Sequence, residues 1–244
     1  MNKISKVDGI SYYITNPNDI IQKTLVNNQQ WNSVIIEIIK KFIVKYNLKH
    51  FLNIGSHIGT VSLPVSKNIK KVTAIEAYYS TFCHLQDNIK LNAITNINTF
   101  NIAIGDKKET VNFLQNIHDR IKDNSGGMHV ITETDKKLNL RSANLVDNSI
   151  SCEMFPLDEV DEIDNFDIIL VDIEGMDARF LQGAKNKILK NKPIIIIEIW
   201  DNIKRKSENM LISREKVIKY IIKLDYTLYK NIDDDFIFIP NNLL

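Results

Sequence analysis

The chain has 244 residues, 44% of them hydrophobic and 25% charged, which is enough to bury a full core and too apolar for a disordered or fibrous protein. Thirty-one Lys and Arg against 30 Asp and Glu leave a formal charge of +1 with no single-sign block to follow a phosphate backbone, so no nucleic-acid partner is expected. No apolar run has the length of a membrane span or a signal peptide, and Cys83 and Cys152 make neither a disulfide framework nor a metal-ligand spacing, so the expectation is a cytoplasmic protein without membrane association.

Strand-like and helix-like segments alternate along the chain, the pattern of a mostly parallel sheet covered on both faces. The first clear element is an amphipathic helix over 31–46, with Val34, Ile35, Ile38, Ile39, Phe42 and Ile43 on one side. A strand at about 50–54, a glycine-bearing turn, a short helix into the 60s, a strand at 71–76 and a helix over 80–92 with Ser80 as N-cap follow. Residues 97–105 read as another strand, with 109–114 as its antiparallel neighbour. The stretch 115–149 is polar, carries Gly126-Gly127, and is longer than an ordinary connection, so it reads as an insertion loop, either a functional cover or a disordered segment. Strands at 166–172 and 193–199 are nearly all apolar, as central parallel strands are, and a helix at 177–190 separates them. The chain ends with a helix at 213–224 and two strands, DYTLYK and DFIFIP, which pair most simply as an edge hairpin. The expected domains are an N-terminal extension over 1–48 and a ligand-binding α/β domain over 49–244.

The chemistry begins at FLNIGSHIG, residues 51–59. A strand running into G-x-x-x-G and a helix brings backbone N–H groups close to a ligand, because glycine permits the turn and adds no side chain. The same turn also arises for packing alone, so the motif needs support. Glu76 supplies it, since an acid closing the second strand stands where a Rossmann-like site accepts hydrogen bonds from ribose hydroxyls. Its plainer reading is a solvated strand end.

Three blocks then resemble the FkbM methyltransferase family in order and spacing. NIGSHIGTVSLPVS at 53–66 is similar to the family's D-V-G-A-N-x-G block. Residues 72–113 follow its pattern of acid, helix, L-x-x-N-x-x-x-N and A-[LI]-[SG]-[DN]. FPLDEV and IILVDIEGMDARFLQGAKNKILKNKPIIIIEI, within 155–199, resemble L-D, K-I-D-V-E-G-x-E, L-x-G-A and P-x-x-x-x-E. The D-[IV]-E-G segment is the most specific of these.

The resemblance implies a class I methyltransferase fold, Rossmann-like, with a seven-stranded, mostly parallel sheet and an antiparallel C-terminal hairpin, that binds S-adenosylmethionine. Carried over by position, the cofactor would be held by Asn53, Gly55, Ser56, His57, Gly59, Glu76, Ala77, Ala103, Ile104, Asp106 and Asp172. Asp172 and Glu174 would face the transferred methyl group, with Asp172 as base for a sugar hydroxyl and Glu174 or Glu198 orienting it. Three carboxylates could instead hold Mg²⁺, and Glu174 could simply be an acid at a helix N-terminus. His129, Trp31 and Trp200 are candidates for contact with the acceptor. That acceptor would be a small molecule or glycan, a nucleotide sugar included if Lys204, Arg205 and Lys206 attract an anion, and a homo-oligomer is left open.

The sequence also departs from the family. Its first-block Asp is Asn53, its Ala is Ser56, its Asn is His57, and Leu170 stands where a Lys precedes D-V-E-G. Asn53 loses a charge that would favour the cofactor's amino group, which motivates an alternative: a non-catalytic protein of the same fold that binds cofactor or a partner.

Overall fold

A computed structural model of the chain describes residues 3–114, 125–141, 143 and 146–244. Two compact units are formed, Met1–Asn101 with Asn116–Met128 and Ile102–Gln115 with His129–Leu244.

The first unit opens with strands β1 (Lys3–Val7) and β2 (Ile10–Ile14), an antiparallel hairpin turned by Asp8 and Gly9, both at positive φ. Alternation buries Val7, Ile10, Tyr12 and Ile14 on one face, where they share a core with Leu25, Leu63 and Leu85. Helix α1 (Ile20–Val26) follows, its first amides capped by the Asp19 carboxylate. Helix α2 (Ser33–Tyr46) buries Ile35, Ile36, Ile39, Phe42 and Ile43 at helical spacing. Strands β3 (His50–Ile54), β4 (Lys71–Ile75) and β5 (Ile97–Phe100) are parallel, joined through α3 (Ser62–Ser66) and α4 (Tyr79–Leu91).

The second unit holds a four-stranded sheet of order β6-β9-β7-β8, built from β6 (Ala103–Gly105), β7 (Glu109–Leu114), β8 (Val130–Ile131) and β9 (Val146–Pro156), with α5 (Glu133–Leu138) after β8. Strand β10 (Ile168–Val171) runs parallel to β11 (Ile194–Glu198), and helices α6 (Asp177–Gly183) and α7 (Lys185–Asn191) connect them. Helices α8 (Asn202–Ser207) and α9 (Arg214–Lys223) precede the hairpin of β12 (Tyr226–Ile232) and β13 (Asp235–Pro240), whose second strand is antiparallel to β11. The large sheet has the order β12-β13-β11-β10-β3-β4-β5, the seven-stranded, mostly parallel arrangement with a closing antiparallel hairpin that the sequence leads one to expect. Among the described residues no helix is long and apolar enough to cross a membrane.

Four local expectations need correction. Residues 97–105 are two strands in two different sheets, because the chain leaves the large sheet after Phe100. Strand β7 is accordingly no neighbour of either half; it pairs with β8 and β9. Ser80 lies inside the first turn of α4, whose N-cap is Tyr78 without a side-chain cap; the Tyr78 amide is taken by Glu76 instead. Lys204, Arg205 and Lys206, which read from the sequence as loop residues, sit on helix α8, started by the Asp201 carboxylate accepting from the Lys204 amide. The described part of 115–149 carries β8, α5 and the start of β9, and residues 115–124 lie outside the described residues.

Candidate functional site

In the first unit β3 ends at Ile54 and the chain turns at once through Gly55, at φ +84, with the amides of Gly55 and Ser56 donating to the Ile75 carbonyl at 3.0 and 2.9 Å. Gly59 closes the turn at φ +93, and a Cβ there would stand 2.1 Å from Leu63 Cδ1, so both backbone angle and packing demand glycine. Glu76, one residue past β4, reaches back to this turn. Its Oε2 accepts the His57 amide at 2.8 Å and its Oε1 accepts the Tyr78 amide at 2.9 Å. The Asn101 side chain donates to the carbonyls of Glu76 and Ala77, both at 2.9 Å, which fixes the strand end.

Three of the four departures from the family pattern lie in this turn. Asn53 is 1% exposed, and its amide nitrogen donates to Ser62 Oγ at 2.8 Å. Its Oδ1 is buried with no hydrogen-bond partner among the described residues. Ser56 Oγ donates back to the Asn53 carbonyl. His57 sits at φ +47, with Nε2 2.8 Å from Ser125 Oγ, and the Ser125 amide donates to Asp19 Oδ2 at 2.6 Å. Burial pulls His57 down to about 4 against the opposing pull of Asp19, so the ring is neutral at physiological pH. Trp31 packs partly buried against the core of the β1–β2 hairpin.

In the second unit the parallel register of β10 and β11 sets Val171 beside Ile197, which brings the next residues of both strands, Asp172 and Glu198, to the same end of the sheet. Glu174 joins them from the turn after β10. One carboxylate oxygen from each of Asp172, Glu174 and Glu198 lies within 4.8 Å of the others. Glu174 holds φ +48, a left-handed angle costing a non-glycine residue roughly 1–2 kcal/mol. Gly175 follows at φ +83, and a Cβ on it would meet Trp200 Cζ3 at 2.9 Å.

Burial dominates the electrostatics of this cluster. Asp172 is pushed up to about 6 by burial, with Lys204 pulling against it. Glu174 rises to about 7 through burial and the Asp172 charge, and Glu198 to about 10 through burial, Asp172 and Glu174. Asp235, opposite Glu198 across the β11–β13 pair, is raised to about 7 by burial and then by Asp172. Like charges in a dry site cannot all ionise, so these groups share protons at neutral pH. Lys204 pairs with the cluster: its Nζ lies 3.6 Å from Glu174 Oε2 and 3.6 Å from the centre of the Trp200 ring.

The remaining sequence candidates fall as follows. Trp200 is 2% exposed and donates its indole N–H to Glu198 Oε2 at 3.0 Å. His129 is buried with its ring edge-on to Trp200, 6.2 Å between centres, and its Nε2 is 3.3 Å from the Arg141 carbonyl. Ala103 and Ile104 are buried within β6, while Asp106, just past it, leaves Oδ1 buried with no partner among the described residues. The basic triplet disperses: Lys204 faces Glu174, Arg205 is buried against Asp177, and Lys206 lines a separate surface cavity with Asn209 and Leu211. Sequence reasoning missed Asp235, the buried Asp135 and Arg141, and the half-buried Arg179. Only the Asp201 cap at the start of α8 could have pointed to Lys204 as a group set by helical geometry.

Residues 53–228 match the family described as the methyltransferase FkbM domain. Among curated proteins none matches the sequence. Of solved structures, methyltransferase FkbM from Methylobacillus flagellatus KT superposes with a TM-score of 0.51 at 16% identity, covering 78% of this chain and 43% of that one. The chain therefore spans less than half the length of that protein, and the likeness is one of fold. The tRNA (uracil-54, C5)-methyltransferase of Pyrococcus abyssi, in complex with S-adenosyl-L-homocysteine, gives a TM-score of 0.49 at 11% identity over 97% of this chain and 43% of its own. Because the family match runs through the glycine turn, Glu76 and the D-I-E-G segment and takes in well over half of the residues, the chain belongs to the methyltransferase FkbM domain family.

Proposed function

We propose that the protein is an S-adenosylmethionine-dependent O-methyltransferase whose acceptor is a hydroxyl of a sugar or glycosylated small molecule. The observation that carries this reading is the gathering of Asp172, Glu174 and Glu198, within 4.8 Å, at the carboxyl end of parallel strands in a chain of this family. In the first unit Asn53 Oδ1, a buried acceptor with no partner among the described residues, is fit for the cofactor's amino group, and the Glu76 carboxylate suits its ribose hydroxyls.

When bound, S-adenosylmethionine supplies a sulfonium methyl group, so the electrophile comes with the cofactor. The chain's own residues must align the acceptor and take its proton. Asp172 is the base, since it accepts no hydrogen bond among the described residues and is the least raised carboxyl of the three, at about 6. Glu198, raised to about 10, keeps its proton and offers a hydrogen-bond donor to an acceptor oxygen, while Trp200 holds its other side. Glu174 and Lys204 form the ion pair that keeps the cluster's net charge low. The three carboxylates are also hard oxygen donors that would hold Mg²⁺, which would supply Lewis acidity to the hydroxyl. A neutral glycan fits better than a nucleotide sugar, because Arg205 is spent on Asp177 and Lys204 on Glu174.

Calorimetric titration with S-adenosylmethionine and S-adenosylhomocysteine tests the reading, with Glu76→Gln as the variant because Gln retains an acceptor for the turn amides. Micromolar binding that weakens in Glu76→Gln supports it, and a panel of free glycosides, with Mg²⁺ or chelator, then reports methyl transfer that Asp172→Asn abolishes. Folded wild-type protein that binds neither cofactor form sinks it in favour of a non-catalytic module, for which the buried Asn53 is the motive.

A further inference from the structure

Glu174 holds a backbone angle that its residue type disfavours, so something outside the turn must keep it there. Arg141 does so. Its Nη1 donates to the Glu174 carbonyl at 3.3 Å, from a side chain that is 3% exposed. The same guanidinium is anchored on its other side, with Nη2 donating to the Val130 carbonyl and to Asp135 Oδ2, both at 2.6 Å. Asp135 is 1% exposed and takes a second arginine, Arg179, at 2.8 Å, while Arg179 also donates to Thr132 Oγ1. The backbone of Arg141 is gripped as well: its amide donates to the Glu208 carbonyl at 2.8 Å, and its carbonyl meets His129 Nε2. His129 in turn lies edge-on to Trp200, the partner of Glu198. A planar fork with five donors in fixed directions is the one side chain able to join Asp135, Val130 and Glu174 at once.

From this geometry we infer that Arg141 is a positioning residue: anchored by Asp135, it holds the Glu174 carbonyl and thereby keeps the Glu174 carboxylate with Asp172 and Glu198. This role deepens the methyltransferase reading and rests on it for its consequence in catalysis. The residues that carry it belong to the segment after β8, which the sequence shows only as a polar insertion. The network makes that segment a brace for the D-I-E-G turn.

The test reads one bond. Among the eight glycines only Gly175 follows a glutamate, so protein labelled with carbonyl-¹³C glutamate and ¹⁵N glycine gives a single carbonyl-to-amide correlation, that of Glu174 and Gly175. Arg141→Lys keeps the charge beside Asp135 but cannot span all three acceptors, and it is expected to shift this peak in the carbonyl dimension. Asp135→Asn, which loosens the fork without removing it, shifts it the same way by less. Arg179→Lys perturbs the same buried carboxylate without touching Glu174 and leaves the peak in place. A peak unmoved in folded Arg141→Lys or Asp135→Asn, or moved as far by Arg179→Lys, overturns the assignment and reduces Arg141 to a structural ion pair. S-adenosylhomocysteine added to the same samples keeps the two questions apart: a peak that responds to Arg141→Lys supports the hold on Glu174 even where calorimetry finds no cofactor binding and the methyltransferase reading falls.

Discussion

Trp200 donates its indole N–H to Glu198 Oε2 over 3.0 Å, which leaves the other oxygen of Glu198 to carry the proton that burial and two neighbouring acids force upon it. A carboxyl raised from 4.5 to about 10 retains a proton in the folded chain that the unfolded chain gives up. Its contribution is therefore fully present below pH 4.5 and is lost progressively as pH rises towards 10. Glu198→Gln removes the titration and keeps an acceptor for Trp200. In chelator-treated protein the variant should gain several degrees in melting temperature over wild type at pH 8 and little at pH 5, each kcal/mol being worth about 2–4 °C in a domain of this size. An equal gain at both pH values would contradict burial as the cause.

How much of this was legible beforehand depended on the kind of signal. The central strands could be read because a strand buried on both faces is almost pure Ile, Val and Leu, as in residues 168–171 and 194–197. The turn at Gly55, the acid at Glu76 and the acids around Asp172 announced themselves by sitting where such strands end. Asp8-Gly9 between alternating apolar residues marks the β1–β2 hairpin as plainly, although its strands are only five residues each. No local pattern marks Arg141, Asp135 or Asp235. Their burial is decided by which segments meet in space, and a polar stretch that folds around a buried charge has the same composition as a loop. Likewise the departure from 97–105 as one strand into two sheets turns on long-range pairing with β9, to which sequence periodicity is blind.

Gly59 combines a φ of +93 with a Cβ position 2.1 Å from Leu63 Cδ1 and 2.8 Å from Leu85 Cδ1. Alanine there must both adopt a left-handed backbone and push two core leucines aside. Overpacking of this kind costs about 1–3 kcal/mol before the backbone strain is added. Urea denaturation of Gly59→Ala should show a loss at the upper end of that range or beyond, together with weakened S-adenosylhomocysteine binding. Unchanged stability would mean that the turn relaxes freely and does not impose its geometry.

Asp177 and Arg205 form a buried ion pair, 1% and 2% exposed, and Arg205 also donates to the carbonyls of Trp200 and Ile212. Removing one partner strands the other charge, so Arg205→Met should cost about 3–5 kcal/mol. Asp177→Asn combined with Arg205→Met removes both charges and should recover part of that loss, with a coupling on the order of 2 kcal/mol in a double-mutant cycle. Recovery should stay incomplete, because no methionine replaces the bonds to Trp200 and Ile212. Additive single-variant losses would show that the pair is not coupled in solution.

His57 is pulled down to about 4, chiefly by burial, so it takes up no proton over the range in which an unfolded histidine does. As pH falls below the ordinary histidine value of 6.5 the unfolded chain gains a proton that the folded chain refuses until about 4, and the stability that this histidine permits at neutral pH is lost across that window. Asparagine tolerates the φ of +47 found here but forfeits the bond to Ser125, worth about 1 kcal/mol. His57→Asn should therefore be the less stable protein in urea at pH 7.5, with the gap closing or reversing at pH 5. A gap that widens on acidification would show the imidazole protonated and paired with Asp19 in the folded state, and the link from Asp19 through Ser125 to the glycine turn would then be an ionic clasp in place of a neutral one.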